Sequence, residues 1–279
     1  MARILKEEKY PNGSFKSRET ELHGQPGQEV ILKEGWYPPQ VDPLNPWQAT
    51  DDAQQRNGQQ EYKRIFVNGQ LHGVQEYWYE NGRQGSKENY VNGQKHGVQE
   101  LWYWNGQREY KENYENGEKH GIQEGWYDNG RQKYKENYVN GQQHGLQEGW
   151  YGNGRQYYKE NYVNGWQHGV QERWYWNGQQ EYKENYVNGQ KHGLQEYWYQ
   201  NGQQWYKWNY VNGQKHGVQE EWNENGQQKD NKYYLDGIEF SQQAYQSYIR
   251  GLAPEVQATA GFEERELSGI IAEYLKPNE

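Results

Sequence analysis

The sequence contains no cysteine, one methionine and four phenylalanines among its 279 residues. Without thiols there is no disulfide framework and no thiolate metal site. Leu, Ile, Val and Phe together supply only about 13% of the chain, below the roughly 20% that usually flags disorder, so a conventional aliphatic core is excluded. Mean hydropathy is −1.52. No apolar run approaches the roughly 20 residues of a membrane span. The charged stretch Met1–Lys9 is followed by no apolar segment, so no classical secretion signal is expected; an intracellular, cytoplasmic setting is. Positive charge is also short: 30 Lys and Arg against 39 Asp and Glu leave a net charge of −9. That balance disfavours nucleic acid, whose binding draws on Lys and Arg to release counterions, and attachment to anionic membrane surfaces.

What the chain holds instead is large rings, 14 Trp and 28 Tyr. Disordered chains are poor in aromatics, and each buried ring removes about 150–250 Å² from water. The rings recur regularly. His72, His96, His120, His144, His168, His192 and His216 are spaced by 24 residues, as are Trp78, Trp102, Trp126, Trp150, Trp174, Trp198 and Trp222. Internal repetition at such a period signals a tandem array. Each unit carries two Asn-Gly pairs, such as Asn105-Gly106 and Asn116-Gly117, flanking strand-length segments. Asn-Gly between short aromatic segments is a strong hairpin signal. The expected fold is an all-β array, an elongated single-layer twisted antiparallel meander of about 16 strands at ~4.8 Å per strand.

A three-residue loop Trp104-Asn105-Gly106 would set Tyr103 opposite Gln107 and Glu100 opposite Tyr110. A similar loop at Glu115-Asn116-Gly117 would set His120 opposite Glu112 and Ile122 opposite Tyr110. One face then carries Val98, Glu100, Trp102, Tyr110, Glu112, Tyr114 and His120; the other carries Gln99, Leu101, Tyr103, Glu109, Lys111 and Asn113. A two-residue loop would mix these sets. The column Tyr77, Leu101, Gly125, Gly149, Arg173, Tyr197, Glu221 varies as solvent positions do, whereas the Trp102 column is invariant. The expected structural core is therefore the seven repeat tryptophans with Tyr114, Tyr138, Tyr162, Tyr186 and Tyr210.

Residues 1–37 form a degenerate unit, in which Glu34-Gly35-Trp36-Tyr37 echoes Glu124-Gly125-Trp126-Tyr127. Residues 38–55 read as a linker, 56–237 as the array and 238–279 as a C-terminal helical cap. Ser241 is placed to cap a helix ending near Arg250, with Gly251 as its stop. A second helix fits 263–276, where Leu267, Ile270, Ile271, Tyr274 and Leu275 make one apolar stripe. The stripe either covers the last strand or docks another protein.

The units resemble MORN repeats, through His96-Gly97, Trp102-Tyr103, Asn105-Gly106, Tyr114 and Asn116-Gly117 and their equivalents over about residues 56–237. The variant is similar to arrays in antitoxin-like bacterial proteins and in large DNA viruses of amoebae, and the phrase Glu-Asn-Tyr-Val-Asn-Gly looks most like the viral ones. The resemblance implies a scaffold for protein or lipid contacts or for dimerisation, for example as a component of a virion. The C-terminal stripe also resembles the start of an F-box, without its preceding Leu-Pro, which would imply an adaptor.

No catalytic residue, cofactor or metal is expected. Successive repeat histidines sit two strands apart, roughly 9–10 Å, too far to share an ion held at about 2 Å. A Glu112–His120 pair would recur in most units, whereas a catalytic site is normally singular. The lysine column that includes Lys111 reads as cross-strand pairing with Glu. Trp104, Trp166, Trp176, Trp205 and Trp208 stand at columns where other units are polar. Trp is enriched at binding hot spots, so Trp104, Trp176, Trp205 and Trp208, with the C-terminal stripe, are the candidate contacts for a protein partner; extra packing at the solvent edge is the alternative.

Overall fold

The computed structural model describes residues 2–11, 13–25, 27–38 and 58–260, with side chains up to Gly251. Most of the expected linker and the whole Leu267–Leu275 stripe lie outside the described residues. The chain divides into two compact units, residues 1–142 with 152–154, and residues 143–151 with 155–279. Among the described residues there are 26 strands and one helix, Gln242–Ala260. The strands form an open antiparallel meander in chain order, the expected fold class.

A repeat unit consists of a long strand such as Arg108–Glu115, a two-residue strand Glu118–Lys119 and a six-residue strand Gly121–Trp126. The strand count exceeds the expected number because His120-Gly121 splits each return strand. At the first corner the Tyr103 N–H donates to the Gln107 carbonyl at 2.8 Å, the Gly106 N–H to the Tyr103 carbonyl at 2.8 Å, and Gly106 has φ +89°. This is the expected three-residue loop.

The second corner differs. Glu115 pairs with Glu118, and Asn116 and Gly117 both have positive φ, 50° and 86°. This is a two-residue turn of the type I′ kind, whose twist matches that of the flanking strands. Two bulges add to it. Arg108 pairs with Trp102 but Tyr110 with Leu101, so Glu109 is extra. Tyr114 pairs with Lys119 but Lys111 with Glu124, so His120-Gly121 is extra.

These slips overturn the expected faces. Glu100 opposes Lys111 instead of Tyr110, and Gly125 takes the place expected for Ile122 opposite Tyr110. His120 lies in the bulge, its N–H donating to the Asn113 carbonyl at 2.9 Å. Tyr110, Glu112 and Tyr114 share a face with Gln99 and Leu101, while Trp102 lies on the other with Glu100, Val98, Lys111 and Asn113. The Trp and Tyr columns thus line opposite faces, because a one-residue slip moves every later side chain across the sheet.

The most buried large side chains are polar: Gln99, Gln123, Gln147, Gln171 and Gln195 have 0% exposure. The split strand explains why. Opening the ladder at His96-Gly97 would leave the Asn89 N–H without a strand partner, and the Gln99 amide fills the gap. Its Oε1 accepts from the Asn89 N–H at 3.1 Å; its Nε2 donates to the Asn89, His96 and Gly97 carbonyls at 2.9, 3.3 and 3.3 Å. A side chain thereby supplies the missing rung, and buried backbone groups stay paired.

The variable Leu101 column is not a solvent column. It faces the Tyr110 column, and in several units a small residue on one side meets a ring on the other, while Tyr197 and Tyr206 face each other as two rings. A Cβ on Gly125 would lie 2.2 Å from the Tyr134 ring and one on Gly149 2.1 Å from the Tyr158 ring, so each tyrosine occupies the space above its glycine. Where the second column has Ser86, the first has Tyr77.

At the N-terminal end, Val30–Trp36 pairs with Gln60–Val67 in the repeat's own register, bulge included, and a Cβ on Gly35 would meet the Tyr62 ring at 2.2 Å. The last strand of the degenerate segment thus keeps the repeat's register. At the C-terminal end Ser241 Oγ accepts from the Ala244 N–H at 3.3 Å, the expected cap. The helix then runs past Gly251 to Ala260, correcting the expected stop: one glycine costs only about 1 kcal/mol in a helix. Tyr245 packs on Tyr233 at 5.3 Å between centroids.

Candidate functional site

The Tyr face carries a ladder of phenols and carboxylates. In the first unit Glu112 accepts from the Tyr114 hydroxyl at 2.9 Å, the Lys119 ammonium at 2.9 Å and the Tyr134 hydroxyl at 3.3 Å. Burial pushes the Glu112 carboxyl up, but the hydrogen bond and charge of Lys119 and the two hydroxyls outweigh it, and the pKa is lowered overall. In the second unit Glu184, with a side chain 7% exposed, accepts from Tyr186 at 3.1 Å, from Lys191 at 2.6 Å and from Tyr197. The phenols respond oppositely: burial, followed by the neighbouring Glu88 and Glu112 charges, pushes Tyr110 up to about 12. Glu112 therefore bonds Tyr and Lys rather than the expected His120.

The histidines are held by backbone. His72, His96 and His120 Nδ1 accept from the Asn92, Asn116 and Asn140 N–H groups, each at 3.4 Å; His144, His168 and His192 do the same in the second unit. His120 also lies 3.7 Å from Glu115. An open groove of about 560 Å³ in the first unit is lined by His96, Lys111, Glu115, His120, Ile122 and Glu124 among others. Apart from Glu115 and Ile122, these residues recur in neighbouring units. Among the described residues no group of three His, Asp or Glu is placed to hold a metal ion.

The flagged tryptophans divide into two classes. Trp104, Trp166 and Trp176 are 70%, 65% and 62% exposed. Trp104 is the first residue of its three-residue loop and contributes its carbonyl to the Asn81 amide at 3.1 Å, so the backbone is fixed while the indole stands in solvent. Trp205, still 38% exposed, and Trp208 belong instead to a cluster of stacked rings on the Tyr face. Trp205 stacks on Tyr199 at 5.3 Å. Tyr206 stacks on Trp208 at 4.1 Å and on Tyr197 at 4.2 Å, and Lys215 lies 4.2 Å over the Trp208 ring. The repeat tryptophans are half-buried.

Two elements that shape these surfaces escaped the sequence reading. One is the buried Gln column, which the expected register put on the Leu101 face as a bystander; its invariance from Gln75 to Gln219 was the available signal. The other is a set of ties between successive units. Tyr79 and Tyr103 hydroxyls donate to the Trp102 and Trp126 carbonyls at 2.7 and 3.0 Å, and Tyr151, Tyr175 and Tyr199 reach Trp174, Trp198 and Trp222 at 2.8, 2.9 and 3.1 Å. Among the described residues no helix is long and apolar enough to cross a membrane. No protein-family model matches the chain, and no curated protein matches it.

Proposed function

We propose that the chain is a non-catalytic scaffold of MORN-like repeats that binds another protein, for instance as a component of a large assembly such as a virion. The observation that carries this reading is how the repeat spends its polar side chains. His Nδ1, the Gln amide, the Tyr hydroxyl and the Glu carboxylate each bind the sheet's own groups. The repeat also offers contact surface, headed by the indoles of Trp104 and Trp176, 70% and 62% exposed on hydrogen-bonded loops. Indoles fixed at low entropic cost are the usual anchors of protein interfaces.

The test is co-purification with the full chain, followed by affinity measurement on the partner recovered. Trp104→Ala and Trp176→Ala, tested one at a time, each weaken capture by about 30-fold, as a hot-spot loss of about 2 kcal/mol requires, with the β content unchanged. If those variants bind normally but Ile270→Asp with Ile271→Asp abolishes binding, the chain is instead an adaptor working through its C-terminal segment. Flotation of the full chain with anionic vesicles at physiological salt would replace both readings with a lipid-associated scaffold.

A further inference from the structure

The array contains Asn-Gly pairs in two settings, and one of those settings changes at the last repeat. In the three-residue loops the Asn side chain is gripped at both ends. Asn105 Oδ1 accepts from the Gln107 N–H at 2.9 Å, and its Nδ2 donates to the Asp128 carbonyl, in the loop of the following unit, at 2.8 Å. Asn81, Asn129, Asn177 and Asn201 reach the following loops in the same way, at 3.1, 3.1, 2.9 and 2.9 Å. Each such bond joins two loops, so the Asn105 and Asn201 loops have a tie on either side, whereas the Asn225 loop has one, from Asn201 to its Glu224 carbonyl at 2.9 Å.

Asn225-Gly226 is the last such loop. Its Oδ1 still accepts from the Gln227 N–H, at 3.2 Å, but its Nδ2 reaches only the Gln227 side chain of its own loop, at 3.3 Å, and both residues are exposed. The hairpin beneath it is also shorter. Internal hairpins such as Gly193–Trp198 with Gln204–Tyr210 hold six paired positions. The last holds three, Gly217, Val218 and Gln219 with Tyr234, Tyr233 and Lys232, plus the single bridge Trp222–Gln228. Finally, Asn223 stands where the preceding unit has Tyr199, whose hydroxyl ties that unit to Trp222.

We infer that Asn225 is a spontaneous modification site, the first of the loop asparagines to deamidate. The Gly226 backbone nitrogen attacks Asn225 Cγ, forming a new C–N bond. The amide proton and the departing Nδ2 group leave together as ammonia, giving a succinimide. One water then opens the ring to aspartate or isoaspartate. The reaction is redox-neutral and uses no reactant but water. It requires the loop to leave its folded geometry, because in the fold the Gly226 N–H is bonded to the Asn223 carbonyl at 2.9 Å. Local opening is easiest where backbone ties are fewest, and every Asn in the comparison is followed by glycine, so differences in rate report the ties. The array already accepts the acidic product at the other kind of corner: Asp236 occupies the turn position that is Asn in seven other units, with φ 47°.

The experiment incubates the full-length protein at mildly alkaline pH and follows each Asn-Gly peptide by mass spectrometry, with fragmentation that separates aspartate from isoaspartate. The Asn225 peptide converts about tenfold faster than the Asn105 and Asn201 peptides, the factor expected from about one or two missing hydrogen bonds. In concentrated urea the loop asparagines converge to similar rates. Equal rates for Asn225, Asn105 and Asn201 in the folded protein would overturn the inference. So would a lead for Asn225 that persists in urea, since the order would then come from local sequence and not from the fold.

Discussion

The substitution Gln99→Glu isolates the buried amide as a rung of the sheet. The two side chains have nearly the same volume, and Glu retains an acceptor for the Asn89 N–H, so packing and that one bond are preserved. What changes is the donor. In the native chain the Nε2 group faces the Asn89, His96 and Gly97 carbonyls at 2.9–3.3 Å; a carboxylate would set negative charge against three oxygens in a place with 0% exposure. Leaving a buried polar group unsatisfied costs about 1–3 kcal/mol, and more when it is charged. Gln99→Ala removes both bonds to Asn89 and leaves a cavity, for a total of about 3 kcal/mol. The expected order of stability at neutral pH is therefore wild type, then Ala, with Glu equal to Ala or worse. In acid the neutral carboxyl recovers a donor, and the Glu variant improves relative to Ala. Repeat arrays need not unfold in one step, so the assay pairs urea denaturation with hydrogen exchange at the Asn89 amide. Gln94→Ala, an exposed position in the adjoining two-residue strand, serves as the control and stays within about 0.5 kcal/mol. A Glu variant as stable as wild type, with Asn89 still protected, would refute the rung.

Three further outcomes follow from the Tyr face. Gly125→Ala, whose new methyl group would meet the Tyr134 ring at 2.2 Å, destabilises by about 1–3 kcal/mol as overpacking does, and Gly125→Tyr loses less when Tyr134→Ser accompanies it, copying the native Tyr77–Ser86 pair; thermal melts of these variants check this. Raising pH weakens the array: the Tyr110 and Tyr182 pKa values are pushed up to about 12, by burial first, so their contribution is full below the ordinary tyrosine pKa of about 10 and is lost as pH rises toward the folded value. Phenolate absorbance and β-sheet circular dichroism should change together in that range. Glu112 has the opposite sign, because its folded pKa is lowered. Its share is present above the ordinary carboxylate range and disappears as pH falls through the folded value, so Glu112→Gln flattens the acid limb of the stability curve.

The sequence alone determined the kind of object this is. A 24-residue period with two Asn-Gly corners leaves a meander of short strands as the fold consistent with the turn chemistry, and the Trp104-Asn105-Gly106 loop was legible down to its pairing of Tyr103 with Gln107. Tertiary structure decided which residues share a face. The same dipeptide makes a three-residue loop at Asn105 and a two-residue turn at Asn116, and neither the Glu109 bulge nor the His120-Gly121 split has a signature separate from the repeat itself. Side chains alternate with a period of two, so parity accumulates over every residue between corners and one slip reverses it. That is why Trp102 and Tyr114, expected to share a core face, line opposite sides. The same reasoning covers the candidate contacts: composition singled out Trp104 and Trp205 alike, but only the neighbours brought in by folding leave the first indole in solvent and stack the second on Tyr199.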